Sequence, residues 1–176
     1  MFIRVKKIKN NEYAYLVETK RHGKNVKQKV LKYLGKIYMP KKIYNLSLVN
    51  TISDVEDFIK KHSYKEVFLE LLKIELLNHD FKQEKQRFFN ECYVDLNLKK
   101  VYDAEFRECV VKLNNGFLCD ITLKNLFNFV PVNDENILAQ ELARVLIEAG
   151  INIDNETFIC LFNKIMESFI NQTKKQ

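Results

Sequence analysis

At 176 residues and 21.0 kDa the chain has the size of one domain, with room for at most a small appendage, which excludes a multidomain machine. Its 47% hydrophobic, 12% aromatic and 30% charged content supplies enough apolar surface to offset conformational entropy, and so excludes a disordered chain. No apolar run reaches the roughly 18 residues that a membrane span needs, and the opening Met1-Phe2-Ile3-Arg4-Val5-Lys6-Lys7 lacks a signal-peptide core, which predicts a cytoplasmic protein without membrane contact.

The charge is concentrated at one end. Residues 1–43 hold 13 Lys and Arg against Glu12 and Glu18 alone, a net of +11, whereas residues 44–176 carry −5 and the whole chain +6. This asymmetry divides the chain into a basic module, 1–43, and an acidic α+β domain, 44–176. So dense a basic segment attracts polyanions through counterion release, and nucleic acid, RNA or DNA alike, is the commonest polyanion of the cytosol. The competing reading is a solvated, lysine-rich surface.

From Phe2 to Gly35 the pattern alternates and breaks at Asn10-Asn11 and at Arg21-His22-Gly23-Lys24, which predicts a three-stranded antiparallel meander. Pairing Lys9 with Glu12 and Lys20 with Asn25 places Phe2, Ile8, Tyr13, Tyr15, Val17, Val26, Val30 and Leu34 on one face, read as the core side. Lys7, Lys9, Lys20, Lys27 and Lys29 then share the other face, with Glu18 across from Lys27, and Arg21 and Lys24 sit at the loop tip. A slip of one residue would exchange the faces. Tyr13, Tyr15 and Tyr33 have the chemistry to stack on bases, but this register turns Tyr13 and Tyr15 inward.

Met39-Pro40-Lys41-Lys42 reads as a connector, with a boundary near residue 45. Ser53-x-x-Glu56 and Ser63-x-x-Glu66 have the capping-box form and predict a helix each, the second through Val67, Phe68, Leu71 and Leu72. Residues 81–90 fit helix and loop equally. A second small antiparallel sheet is expected from the stretches around Cys92–Leu98 and Cys109–Leu113, the turn Asn114-Asn115-Gly116, and Phe117–Ile121 as third strand. A short helix over Thr122–Phe127 and two clear ones over Ile137–Ala149 and Asn155–Ile170 complete the chain. Gly150 is placed to end the first of that pair, and Phe158, Leu161, Phe162, Ile165, Met166 and Phe169 share one face of the second.

Motifs for chemistry are sparse. Cys92, Cys109, Cys119 and Cys160 form no C-x-x-C pair and read as reduced, buried side chains, so no metal and no cofactor is predicted. The terminal helices could be drawn as a helix-turn-helix, but from Thr157 to Ile170 the only basic residue is Lys164, too little for a recognition helix. Asp95, Asp103 and Asp120 fall near strand ends, where a metal-dependent nuclease would need them to converge. His22, His62 and His79 are scattered, and the four glycines are too far apart for a phosphate loop.

The run Tyr13-Ala14-Tyr15-Leu16-Val17-Glu18, followed by Gly23-Lys24-Asn25-Val26-Lys27-Gln28-Lys29-Val30-Leu31-Lys32-Tyr33-Leu34-Gly35, resembles the N-terminal module of IS4-like insertion-sequence transposases over about the first 40 residues. Their catalytic core, with three separated acidic residues, has no counterpart in the rest of the chain, so the resemblance does not imply transposase activity. The fuller pattern, with Asn114-Asn115-Gly116-Phe117-Leu118-Cys119 and Leu146-Ile147-Glu148-Ala149-Gly150-Ile151, resembles a family of small uncharacterised archaeal proteins, which implies no particular activity.

The fold expected is therefore α+β: a basic three-stranded meander, then an α/β region with a second small antiparallel sheet and two C-terminal helices. The leading function is a non-enzymatic nucleic-acid-binding protein in which Lys7, Lys9, Lys27 and Lys29, helped by Arg21 and Lys24, contact phosphates. The first alternative is an interaction or assembly subunit, possible as a homodimer, docking through the acidic, helical C-terminal part. The second is the metal-dependent nuclease.

Overall fold

The computed structural model describes residues 1–22 and 25–173. Three long strands lead the chain, β1 (Phe2–Ile8), β2 (Asn11–His22) and β3 (Asn25–Tyr38). The β1–β2 turn is the pair Lys9-Asn10, with Lys9 at φ 54°, the left-handed conformation that matches a two-residue turn to the strand twist. Lys7 therefore pairs with Glu12, and across the second hairpin His22 pairs with Asn25, Lys20 with Lys27 and Glu18 with Lys29. Both registers differ by two residues from the Lys9–Glu12, Lys20–Asn25 and Glu18–Lys27 pairings expected. A two-residue offset preserves which side chains share a face.

What changes is the face that meets the core. Phe2, Ile8, Val26 and Val30, expected inside, are 43–56% exposed, while Ile3, Ala14 and Leu16 of the opposite face pack with Leu34, Ile37, Val110 and Cys119. Of the residues expected inside, Val17 and Leu34 are buried. Two register shifts opposite Ala14/Tyr15 and Leu16/Val17 reset β3, so that Tyr33 faces outward beside Tyr15 while Leu34 turns in.

Three helices follow. Ser47 caps the short α1 (Leu48–Thr51); α2 (Val55–Lys61) begins at Asp54, whose carboxylate accepts from Asp57 N at 2.8 Å, one residue after the expected Ser53. Ser63 and Glu66 form the predicted capping box of α3 (Tyr64–Asn78), with Ser63 N donating to Glu66 Oε2 at 2.7 Å. The connector before them is an ordered strap along α3. Ile43 N and Tyr44 N donate to Asn78 O, the Asn78 side chain bonds Leu46 N and O at 2.7 and 2.9 Å, and Lys42 lies 3.5 Å from the buried Glu75.

Residues 81–90 are neither helix nor loop but a hairpin of β4 (Lys82–Glu84) and β5 (Arg87–Phe89), continued by β6 (Tyr93–Asp95) and β7 (Lys100–Tyr102) into a four-stranded antiparallel sheet. The second small sheet exists, but its membership differs from expectation. β8 (Val110–Leu113) and β9 (Gly116–Leu118) join the N-terminal sheet instead, in the order β1-β2-β3-β8-β9, with Ile37 beside Val110 in parallel. Gly35, at φ 112°, makes this approach possible: a Cβ there would lie 2.0 Å from Glu108 O.

The chain closes with α4 (Asp120–Phe127), α5 (Glu135–Glu148) and α6 (Asn155–Thr173). The third strand expected over Phe117–Ile121 thus stops at Leu118, and α4 opens at Asp120. Gly150, at φ 79°, ends α5 as expected: Gly150 N donates to Ile147 O and Ile151 N to Leu146 O, the paired bonds of a Schellman cap. Asn114 Nδ2 donates to Gly150 O at 2.8 Å, so the two stretches Asn114–Cys119 and Leu146–Ile151 meet here. The main core, from Phe68 and Leu72 of α3 through Phe88, Val101 and Leu118 to Leu142 and Leu161, joins the four-stranded sheet to the helices. Among the described residues no helix is long and apolar enough to cross a membrane.

Candidate nucleic-acid interface

Because β1 ends where Phe2 pairs with Val17, β2 and β3 continue past it as a two-stranded ribbon from Glu18 to His22 and Asn25 to Lys29. The ribbon is about 17 Å long at ~3.3 Å per residue. Thr19, Lys20, Arg21, Val26, Lys27, Gln28 and Lys29 are all exposed. Alternation puts Glu18, Lys20, Lys27 and Lys29 on one face and Arg21, Val26 and Gln28 on the other. Lys20 and Lys27 stand directly across from each other, an arrangement of like charges that costs stability. Lys20 has a compensating carboxylate, Glu18 at 3.4 Å, and Lys27 has none among the described residues.

The expected phosphate-binding residues fall into two groups. Arg21, Lys27 and Lys29 are on the ribbon, and Lys24 lies outside the described residues. Lys7 is at the far end of β1 and Lys9 in the β1–β2 turn, about 35 Å from the ribbon tip along β2 at ~3.3 Å per residue. Among the described residues, none of Lys7, Lys9, Arg21, Lys27 and Lys29 makes an ion pair. Other cations of residues 1–43 are tied to the body: Lys32 Nζ lies 2.6 Å from Glu108, a hydrogen bond that raises its pKa, and Lys42 reaches Glu75.

The outward face of the three-stranded part was missed because its aromatics were assigned to the core. Its cross-strand rows read Lys6-Tyr13-Lys36, Arg4-Tyr15-Tyr33 and Phe2-Val17-Val30. Tyr33 is 51% exposed, and burial beside Tyr13 and Tyr15 pushes its phenol pKa up, so the ring stays neutral. The signal in the sequence was the spacing of Arg4, Lys6, Tyr13 and Tyr15 at alternate positions, which marks one face whichever way that face points.

The other candidate residues are occupied elsewhere. Asp95 accepts from Leu98 N at 2.9 Å and Arg87 Nε at 2.8 Å, Asp120 accepts from Val101 N at 2.8 Å, and Asp103 accepts from Glu105 N, Arg107 N and Arg107 Nε at 2.9, 3.0 and 2.9 Å. For Asp103, burial raises the pKa, but these bonds outweigh it and hold the carboxyl below its ordinary value. Asp95 and Asp103 each tie down their own turn and Asp120 ties the start of α4 to β7, and among the described residues no group of three or more His, Cys, Asp or Glu is placed to hold a metal ion. Cys92, Cys109 and Cys119 are buried free thiols and Cys160 is half-buried. A hydrogen bond donated by Cys109 to Cys92, together with burial, pushes the Cys109 thiol far up. His62 stacks on Phe58 at 4.2 Å, and His79 Nδ1 lies 2.9 Å from Glu75 O.

The C-terminal helices do not form a reading head. Leu161 and Ile165 of α6 are buried, with Phe158, Phe162, Met166 and Phe169 packed on the same core, so the apolar face of α6 is turned onto the chain itself. Lys164 turns back onto the end of α2, donating to Ile59 O, to His62 O and, at 3.1 Å, to Lys60 O. Burial lowers its pKa.

Residues 3–63 match the IS1634 family transposase, N-terminal domain. The match takes in β1 to β3, the strap, α1 and α2, ends at the Ser63 cap of α3, and extends the N-terminal likeness beyond residue 40. The N-terminus is transposase-like. No curated protein and no solved structure matches the chain.

Proposed function

We propose that this protein is a cytoplasmic, non-enzymatic DNA-binding protein whose β2–β3 ribbon contacts the phosphates of duplex DNA. The reading takes residues 1–43 as the binding module and residues 44–176 as the body that holds it. The observation that carries it is a projecting ribbon whose exposed Arg21, Lys27 and Lys29 make no ion pair among the described residues. A two-stranded ribbon is one of the few elements that the major groove admits, at about 12 Å wide. Opposed like charges such as Lys20 and Lys27, costly in the free protein, become favourable once phosphates lie between them. Similarity to a transposase N-terminal domain favours DNA over RNA as the polyanion. Lys24 belongs with the ribbon group by sequence, while Lys7 and Lys9 stand off by about 35 Å, close to the ~34 Å of one duplex turn, where they meet the next phosphates.

The test is titration of a labelled DNA duplex across a salt series, reading anisotropy, for the wild type and for Lys27→Glu with Lys29→Glu. The wild type should lose affinity steeply with salt, and the double variant should lower that slope by about 1 for each phosphate contact removed. Absence of duplex binding by the wild type at low salt, or a double variant indistinguishable from it, refutes the reading.

A further inference from the structure

The outward face of β1–β3 lies next to the ribbon and carries a different chemistry. The Tyr13 and Tyr15 rings lie 6.3 and 5.3 Å from the Tyr33 ring, centroid to centroid, so the three phenols make one aromatic surface across two strands. Lys6 Nζ sits 5.0 Å from the centre of the Tyr15 ring. Cations edge the cluster on both sides, Arg4 and Lys6 from β1 and Lys36 from β3. Among the described residues these three make no ion pair; Arg4 Nη1 donates to Gln28 Oε1 at 2.8 Å.

Carboxylates are absent from this face for a reason written into the alternation. The only acidic residues of 1–43 are Glu12 and Glu18, and both occupy even positions of β2 with Ala14 and Leu16, on the side turned to the body. The outward face is thus aromatic in the middle, cationic at its edges and free of acids along β1 to β3. A core face would not be edged by unpaired cations, and a merely solvated face would not cluster three tyrosines with Tyr33 51% exposed.

We infer that this face is a stacking platform for single-stranded DNA, with bases lying on Tyr15 and Tyr33 and phosphates running past Arg4, Lys6 and Lys36. The occupant follows from the surface. Neutral aromatic rings take the π-face of any base, which a duplex keeps stacked inside, and the cations take the backbone. The choice of DNA over RNA rests on the function proposed above; the stacking itself does not. A duplex gripped by the ribbon would then present an unpaired end or an opened strand to the adjacent sheet.

The experiment uses the full chain and an oligothymidylate of about 16 nucleotides, the upper site size of small β-sheet binders. With no tryptophan in the chain, intrinsic emission is tyrosine's, and stacking quenches it. Tyr33→Leu and Tyr15→Leu should each weaken oligothymidylate binding by about ten-fold and lose part of the quenching, while Tyr33→Phe, which keeps the ring, should stay within about two-fold of wild type. Duplex binding should be unchanged in all three, and unchanged thermal unfolding of the half-exposed Tyr33 variants confirms that the fold is intact. Wild-type affinity in Tyr33→Leu and Tyr15→Leu overturns the inference, as does an equal loss of duplex binding. Tighter, tyrosine-dependent binding of oligouridylate overturns the assignment to DNA. The two readings fail separately: tyrosine-dependent oligothymidylate binding without any duplex binding sinks the ribbon and leaves the platform standing.

Discussion

Strands β2 and β3 make two unlike surfaces along their length. At the root, Ala14, Leu34, Gly35 and Ile37 are buried, and β3 lies against β8 closely enough that Gly35 has no room for a side chain. At the tip, every described residue from Thr19 to Arg21 and from Val26 to Lys29 is exposed, and two lysines face each other across the ladder. Apolar burial at the root stabilises the hairpin, which leaves the tip free to hold an arrangement that would destabilise a strand pair on its own. Stability is placed at one end of the hairpin and charge at the other. Substitutions at the two ends should therefore have opposite signatures.

The largest effect is expected at the root. Gly35→Ala places a Cβ 2.0 Å from Glu108 O and 2.8 Å from Cys109 Cα, both backbone atoms with no freedom to move aside, at a φ of +112° that alanine avoids. Urea unfolding should show a loss of about 3 kcal/mol, with the clash and the backbone strain both contributing. A loss below about 1 kcal/mol would mean that the β3–β8 pairing gives way to admit the side chain. At the tip, Lys27→Glu with Lys29→Glu should do the reverse. Duplex affinity should fall by about ten-fold or more at moderate salt, while stability stays within about 0.5 kcal/mol of wild type, because the Lys20–Lys27 repulsion becomes attraction as the Glu18–Lys29 attraction becomes repulsion. Because β3 is bonded to β8, charge reversal separates binding from folding more cleanly than deletion of residues 1–43 would.

The contrast also explains what could be read from the sequence. Local signals were legible: the three strands of the meander and its first turn to within a residue, the Ser63–Glu66 box, Gly150 as a helix end and the apolar stripe of α6 all depend on residues a few positions apart. Alternation likewise grouped Lys20, Lys27 and Lys29 correctly. It left open which face meets the core, because a period of two defines two faces and names neither. That choice is made by the parallel pairing of Ile37 with Val110, a long-range contact with no local signature, and by shifts in β3 that turn Leu34 inward and Tyr33 outward. Arg4, Lys6, Lys36 and the tyrosines went unrecognised as a group for the same reason. Large aromatics are usually core, and here the small residues Ala14 and Gly35 take that side, allowing the body to come close.

Away from the hairpin, the body should respond to pH without affecting DNA. Asp103 accepts three hydrogen bonds while almost fully buried, and its folded pKa lies below the ordinary 3.8. A carboxyl with a lowered folded pKa adds stability above its unfolded value and loses it as the pH falls through the folded value. Stability should accordingly decline below about pH 4, and Asp103→Asn should cost about 2 kcal/mol at neutral pH while flattening that decline. Thermal melts across pH check both, and an unchanged acid limb in the variant would remove Asp103 from the account.

The smallest effect is the one that most sharply separates the two ends of the chain. Lys164 is the only basic residue of α6 between Thr157 and Ile170, so a DNA-reading α6 would depend on it. Its ammonium instead donates to the carbonyls of Ile59, Lys60 and His62, where it satisfies the end of α2 and opposes the partial negative charge there. Lys164→Met keeps the length and apolar stem of the side chain and removes only those bonds. Denaturation should therefore register a loss of about 1 kcal/mol, and duplex affinity and its salt slope should not move. A fall in affinity with the melting temperature intact would put DNA on the helical pair after all, and the ribbon would lose its exclusive claim. The same assay on Lys27→Glu with Lys29→Glu supplies the opposite pattern, affinity lost and stability kept. Side by side, the two variants assign DNA binding to one end of the molecule on a single pair of measurements.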